Sequence, residues 1–214
     1  ACVTITYPLD LLADFPGWTT KFEPMLRQEQ SRTAAGRTYT KDLGPSLWQL
    51  TAVSKPLKPN ELDYWRARLN MLSTTSQTFY GRSLSRCYPI LYPRGTWPTG
   101  GSFSGTATLA SIATGRQKIT VEDLPAGYKF SIGDHLSIGN DLHQVQEEAT
   151  ADGSGVTPEF TVWPNIWPGV VADVDLRVKE PRCLMTIVPG SVETTADAQT
   201  GMGSVTFSGV EDRG

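Results

Sequence analysis

The chain has 214 residues, of which 39% are hydrophobic and 19% are charged, and its formal net charge at pH 7 is -3. The 20 glycines and 15 prolines argue against a helical bundle and favour a soluble, turn-rich protein built mainly from strands, long enough for one large or two small domains. No apolar run approaches the roughly 18 residues that a membrane helix needs, and the first residues lack a signal-peptide pattern, so we expect a cytoplasmic protein with no membrane partner.

Charge is unevenly distributed along the chain. Between Lys21 and Arg94 there are twelve Lys or Arg residues and five Asp or Glu residues, a surplus of seven. From Gly95 onward there are seven basic and fifteen acidic residues, a deficit of eight. Such a split indicates either a nucleic-acid patch or complementary surfaces on repeated subunits. Because the basic residues are spread rather than clustered, we favour a solvated or subunit-facing surface and expect no specific nucleic-acid binding.

The first part of the chain predicts strands. SRTAAGRTYTKDLGPSLWQLTAVS reads as a strand, a turn and a second strand, with the break at Gly44-Pro45. Alternation within SLWQLTAV places Trp48, Leu50 and Ala52 together on one apolar face. TFYGRSLSRCYPILYP predicts a further strand that ends in prolines.

KPNELDYWRARLNMLS predicts one amphipathic helix over residues 60–73. Asn60 is the expected N-cap, and Glu61 and Asp63 place negative charge in the first turn. Apolar residues at spacings of three and four form a stripe that is typical of a helix covering a sheet. The residues of this stripe are Leu62, Trp65, Leu69 and Leu72.

The composition changes at RGTWPTGGSFSGTATLA, whose glycines and proline predict a linker. Beyond it, five short strands alternate with turns, which fits a small barrel or sandwich: QKITVEDL, HLSIG, LHQVQ, FTVWP and DLRVKEP. CLMTIVPGSV and MGSVTFSGVED then supply two strands whose simplest partners lie before the linker. We therefore predict a split domain of residues 1–101 plus 181–214, with an inserted domain of residues 102–180.

Both histidines, His135 and His143, lie in the stretch FSIGDHLSIGNDLHQV beside two aspartates. A metal site would require several of these side chains to converge. A two-residue turn at Asn140-Asp141 places the histidines on opposite faces of a hairpin, whereas a three-residue turn over residues 139–141 places them on one face. The first register pairs apolar with apolar residues, so we favour a hairpin without a metal site.

Known catalytic signatures are missing from the sequence. It contains no H-E-x-x-H, G-x-S-x-G or G-x-x-x-x-G-K-[ST]. ADGSG at residues 151–155 lacks the remaining ligands of a calcium loop and is predicted to be a tight turn. Glu147 and Glu148 are neighbours on a strand and point to opposite faces, which is unsuited to a glycosidase pair. We expect no catalytic residues and no cofactor, although a carboxylate pair assembled from distant segments stays open.

The cysteines Cys2, Cys87 and Cys183 are scattered and odd in number, and none is part of a C-x-x-C motif. This pattern argues against structural zinc and against a disulfide framework. We expect buried free thiols, the usual state of such residues.

Tryptophans provide a candidate binding site. Trp163 and Trp167 lie in TVWPNIWPG, and Trp97 lies in the predicted linker. Exposed indole faces stack well on sugar rings, so these three residues are candidate glycan contacts. The alternative is that the Trp-Pro segments seal the end of a barrel or an interface.

The histidine hairpin belongs to a longer pattern, FSIGDHLSIGNDLHQVQEEATADGSGVTPEFTVWPNIWP followed by VDLRVKEP. It resembles a segment of tail proteins of long-tailed phages and prophages. In those proteins an apolar-x-x-G-D-x-apolar-x-apolar-G hairpin precedes a D-G-x-G turn, a strand ending in Pro and a K/R-x-P step. The matching residues are Gly133, Asp134, Ile138, Gly139, Asp152, Gly153, Gly155, Pro164 and Pro181. RQEQSRTAAGRTYTKDLGPSLWQLTAVSKPLKPNELDYWRARLNML also resembles the strands and helix that open such proteins, so the similarity covers about three quarters of the chain.

The resemblance implies a distal tail protein or another minor tail protein, located in the virion at the tail tip after assembly in the host cytoplasm. Such proteins form a ring, expected here to be a hexamer, between the tail tube and the tail-tip hub or baseplate. Their fold is a tail-tube-like β-sandwich with one flanking helix, interrupted in several members by a small barrel of oligosaccharide-binding type. A head-to-tail ring needs two complementary patches, for which Arg27, Arg32 and Arg37 are candidate residues. The competing functions are a host-surface glycan-binding module and a tail-associated cell-wall hydrolase.

Overall fold

The computed structural model describes residues 5–213, which form a six-stranded antiparallel sheet, a closed six-stranded antiparallel barrel and two helices. The protein is therefore mainly β, as the composition predicts. None of the helices in residues 5–213 is both long enough and apolar enough to cross a bilayer. In chain order the elements are α1 (Leu11–Asp14), β1 (Gly17–Met25), β2 (Gln28–Arg32), β3 (Thr38–Asp42), β4 (Leu47–Ser54), α2 (Pro59–Thr75), β5 (Phe79–Gly81), β6 (Thr106–Ile112), β7 (Lys118–Glu122), β8 (Lys129–Phe130), β9 (His135–Ile138), β10 (Asp141–Val145), β11 (Ala149–Thr150), β12 (Phe160–Trp163), β13 (Asp175–Arg177), β14 (Cys183–Ile187), β15 (Glu193–Ala196) and β16 (Gly203–Glu211).

The sheet combines strands from both ends of the chain. Its order is β1-β4-β16-β14-β5, and β15 pairs with β16. The pairing of the last strands with strands that precede the barrel is confirmed, because β16 pairs with β4 and β14 pairs with β5. The finer expectation of a tail-tube-like β-sandwich stays a prediction.

Strand β4 and helix α2 follow their sequence patterns. Every second residue of β4 is buried, beginning with Trp48, and the four residues of the predicted helical stripe are the buried residues of α2. The start of the helix differs from the prediction, because Lys58 and not Asn60 is the N-cap. Proline suits the first helical position, which Pro59 occupies, and the Glu61 carboxylate accepts the Lys58 N–H at 3.2 Å.

The barrel has the order β10-β12-β7-β6-β13-β9, and all five strands predicted in this segment are present. A sixth strand, β6, begins inside the stretch that we interpreted as a linker. That linker is also more closely packed than expected, because Trp97 and the preceding Tyr92 are buried in the barrel core. Residues 88–179, which we call the barrel segment, contain this linker and all six barrel strands. The two ends of the barrel segment are adjacent, because the Glu180 N–H donates to the Cys87 carbonyl at 2.7 Å.

Strands β2 and β3 form a ribbon apart from both larger structures. They pair only with each other, through a turn in which the Arg37 N–H donates to the Thr33 hydroxyl at 3.2 Å. Every residue from Leu26 to Leu43 is exposed. We call this stretch the arm. It buries no side chain, and its strands therefore lack the apolar periodicity that would reveal both of them in the sequence.

The cysteine prediction is correct at one of the two positions within the described residues. The Cys183 side chain is completely buried and its thiol is free, whereas Cys87 is free but only half-buried. Burial raises the pKa of the Cys183 thiol well above its usual value, and the nearby Glu211 acts in the same direction. Cys2 lies outside the described residues.

Candidate functional site

The histidine hairpin is confirmed, but its register differs from both alternatives considered. The loop consists of Gly139 and Asn140, so that Asp141 pairs with Ile138 and His143 pairs with Leu136. Gly139 has a φ of 59°, a conformation that glycine adopts at little cost in a tight hairpin turn. The predicted turn at Asn140-Asp141 is therefore wrong by one residue.

The two histidines lie on opposite faces of this hairpin. His143 shares a face with Leu136 of the barrel core, whereas His135 lies on the outer face, with its ring 5.3 Å from that of Trp48. The completely buried His143 donates from Nδ1 to the Pro164 carbonyl at 2.7 Å, since a carbonyl can only accept. Burial lowers the pKa of both imidazoles to about 4. Among residues 5–213, no three His, Cys, Asp or Glu side chains form a potential metal site.

Burial of neutral His143 predicts a pH-dependent stability. The unfolded chain protonates this residue near pH 6.5, whereas the folded protein does so only near pH 4, so the stabilisation present above pH 6.5 is lost as the pH falls between these values. We expect a contribution of about 3 kcal/mol across this interval. His143→Asn keeps an N–H donor near the Nδ1 position and removes the titration.

Chemical denaturation from pH 7.5 to pH 4.5 measures this effect. The unfolding free energy of His143→Asn should fall less steeply than that of the native protein. Burial also raises the pKa values of Glu211 and Asp141, which stabilise the fold as the pH falls, so the difference between variant and native protein isolates His143. Identical pH slopes for the two proteins would contradict the prediction.

Glu211 joins the sheet to the barrel. Its side chain is fully buried, and its carboxylate accepts the backbone N–H of Trp48 at 3.1 Å and that of Leu142 at 3.4 Å. The Trp48 indole N–H donates to the Leu142 carbonyl at 2.8 Å, which completes a closed set of contacts between β4, β10 and β16. Arg213 lies 3.2 Å from the same carboxylate and its side chain is only 3% exposed. We call Glu211, Arg213, Trp48 and Leu142 the clasp.

The three candidate glycan contacts do not form one site. Trp97 is 8% exposed, and its ring packs against Tyr92 and Phe103, so it presents no free face. Trp163 packs against Trp48 at a ring-centroid distance of 5.9 Å, which is the interface role left open above. Trp167 alone is exposed, and no aromatic pair in residues 5–213 joins two of the three tryptophans.

The candidate interface arginines all lie in the arm. Arg27 precedes β2, Arg32 ends it, and Arg37 lies in the turn before β3. Each is exposed, and within residues 5–213 none of them forms an ion pair. The arm thus presents free positive charge to solvent.

The two acidic motifs have simple structural roles. The Asp152 carboxylate accepts the Ser154 hydroxyl and the N–H groups of Ser154 and Val156, so the predicted tight turn is confirmed. These bonds, that from the Ser154 hydroxyl most of all, lower the pKa of Asp152. Glu147 and Glu148 contact different lysines, Lys118 and Lys129, at 3.9 and 2.7 Å.

Comparison with known proteins adds no assignment. No protein-family model matches the chain, and no curated protein is significantly similar to it.

Proposed function

We propose that this protein is a structural subunit of a phage tail and that it assembles into a ring, expected to be a hexamer, between the tail tube and the tail tip. The ordered sequence pattern described above supports this role. The arrangement of a sheet with a flanking helix, interrupted in sequence by a small barrel, also agrees with that resemblance. In this proposal the sheet belongs to a tube-like β-sandwich and the barrel to an oligosaccharide-binding type, and the subunit acts in the virion without catalysis or a cofactor.

The arm is the observation on which the ring proposal depends. A two-stranded ribbon is marginally stable in water, because it buries too little apolar surface to offset its conformational entropy. Here the ribbon exposes Leu26, Tyr39 and Leu43, each more than half accessible. Burial of such side chains requires another surface, and in a ring that surface belongs to the adjacent copy.

The charge distribution also supports a contact between the arm and the adjacent copy. The arm carries Arg27, Arg32, Arg37 and Lys41 against Glu29 and Asp42, whereas the chain from Gly95 onward has an acidic excess of eight. A basic arm on one subunit and an acidic surface on the next provide the two different patches of a head-to-tail contact. Electrostatic attraction between them weakens as salt is added.

Removal of the arm should abolish assembly but leave folding unchanged. We expect replacement of residues 28–42 by Gly-Gly to leave the melting temperature of the monomer within about 2 °C of the native value, since the arm buries no side chain. The same variant should lose the closed rings that we expect the native protein to form at high concentration. Light scattering and negative-stain electron microscopy measure assembly, and circular dichroism measures folding.

Charge reversal tests the electrostatic contribution to assembly. Arg27, Arg32 and Arg37 all changed to Glu should weaken assembly at low salt more than at high salt. The matched control changes three exposed basic residues elsewhere, Lys58, Arg94 and Arg177, to Glu. Absence of closed rings at any concentration of the native protein would overturn the proposal, and equal weakening by both triple variants would remove the arm from the contact.

A further inference from the structure

A groove of about 400 Å³ lies where the barrel meets the sheet. On the barrel side it is bounded by the Gly139–Asn140 turn and by the loop that carries Trp167. On the sheet side it is bounded by Leu184 of β14 and by Asp212, which follows β16. Its volume is within the range of roughly 300–1,000 Å³ that is typical of small-molecule sites.

Trp167 is held in place by Arg116. The Arg116 guanidinium donates to three backbone carbonyls of the tryptophan loop, at Ile166 (3.0 Å), Trp167 and Val170 (2.7 Å). The Ile166 N–H in turn donates to the Arg116 carbonyl at 2.8 Å. Trp167 is 36% exposed and lines the groove, so an aromatic surface is presented by a loop that is already ordered. Such preorganisation reduces the entropy lost on binding.

Polar groups line the same groove beside the indole. They belong to Asn140, Asp141 and Asp212. Among residues 5–213, no side-chain hydrogen bond or ion pair within 4 Å engages the Asp141 carboxylate, although this residue is half-buried. Its burial raises its pKa, and the positive charge of Arg213 opposes that change. A half-buried acceptor of this kind is best satisfied by a ligand that donates hydrogen bonds.

We propose that this groove binds a neutral pyranose ring of a glycan, with its C–H face on Trp167 and its hydroxyls on Asp141, Asn140 and Asp212. A sugar ring has one apolar face and a rim of hydroxyls, which matches an indole beside two carboxylates and an amide. Anionic sugars and phosphates are disfavoured by the negative charge of the two aspartates, and a wholly apolar segment would leave their carboxylates buried without partners. This activity is independent of the ring proposal and uses neither Trp97 nor Trp163.

Titration of the intact protein with the methyl glycosides of glucose, galactose, mannose and N-acetylglucosamine tests the proposal. Binding is followed by saturable NMR shifts, and at least one of these sugars should bind. Trp167→Ala should reduce that affinity at least tenfold and Trp167→Phe less, because phenylalanine keeps an aromatic face. Asp141→Asn should also weaken binding, since its amide offers only one acceptor oxygen.

Trp18→Ala is the matched control, because Trp18 is 77% exposed on β1 and does not line the groove. It should leave the affinity unchanged. The Arg116 bonds reach backbone carbonyls, so Trp167→Ala should keep the fold, which its melting temperature verifies. The proposal is overturned if no neutral glycoside binds saturably, if Trp18→Ala weakens binding as much as Trp167→Ala, or if glucuronate binds more tightly than glucose.

Discussion

A chain that ends at Glu180 should aggregate instead of folding. The truncation removes β14, β15 and β16, and β16 is the strand that joins β4 to the rest of the sheet. It also removes the buried residues Met185, Val205 and Phe207 from the core that α2 covers. The remaining β4 would expose both its apolar face and an unpaired edge, which favours association between chains.

Removal of the barrel segment should have a much smaller effect. The Glu180 N–H donates to the Cys87 carbonyl, so the two ends of the segment are already adjacent and a short connection can replace it. We expect replacement of residues 88–179 by a Gly/Ser linker to leave a soluble protein that melts cooperatively. Its melting temperature should be below that of the full chain, because Trp48 loses its contact with Trp163 and Leu142.

Expression of four chains compares these outcomes: residues 1–180, the linker replacement, residues 88–179 alone, and residues 1–100. The soluble fraction, circular dichroism and thermal melting are measured for each. The isolated segment should fold, since it contains all six barrel strands together with Tyr92 and Trp97 of their core. A soluble, cooperatively melting fragment of residues 1–100 would contradict the split domain, because that fragment lacks every strand after the barrel.

Periodicity made some elements predictable from the sequence. Strand β4 alternates between buried and half-buried residues, α2 repeats its apolar residues every three or four positions, and both patterns arise because one face packs on a core. Strand β1 is an exposed edge strand, and the arm buries nothing, so neither has a periodic apolar face to detect. The hairpin register depended on which residue of the turn takes a positive φ, a choice that hydrophobic pairing alone does not make.

The clasp was not predictable for a different reason. Glu211 is 163 residues from Trp48 and 69 from Leu142 along the chain, and no local pattern relates them. A glutamate at the end of a predicted strand normally faces solvent. Only the packing of the barrel against the sheet converts this carboxylate into a buried acceptor for two backbone N–H groups.

Glu211→Ala should be among the most destabilising single substitutions in the chain. It leaves the backbone N–H groups of Trp48 and Leu142 without an acceptor, and it leaves the buried Arg213 guanidinium without its ion-pair partner. Removal of one partner from a buried pair of this kind typically costs about 3–5 kcal/mol. Glu193→Ala, on exposed β15, is the matched control and should change the unfolding free energy by less than about 0.5 kcal/mol.

A double substitution separates the two causes of that loss. If the unpaired charge of Arg213 is the main cause, Glu211→Ala combined with Arg213→Met should have an unfolding free energy more than about 1 kcal/mol above that of Glu211→Ala alone. If the unsatisfied N–H groups are the main cause, Glu211→Gln should recover more unfolding free energy than the double substitution, because its amide oxygen still accepts a hydrogen bond. Urea denaturation of the native protein and the four variants measures each contribution to the unfolding free energy, and their m values are compared to detect separate melting of the barrel and the sheet. An unfolding free energy of Glu211→Ala equal to that of Glu193→Ala would show that the clasp does not hold the barrel to the sheet.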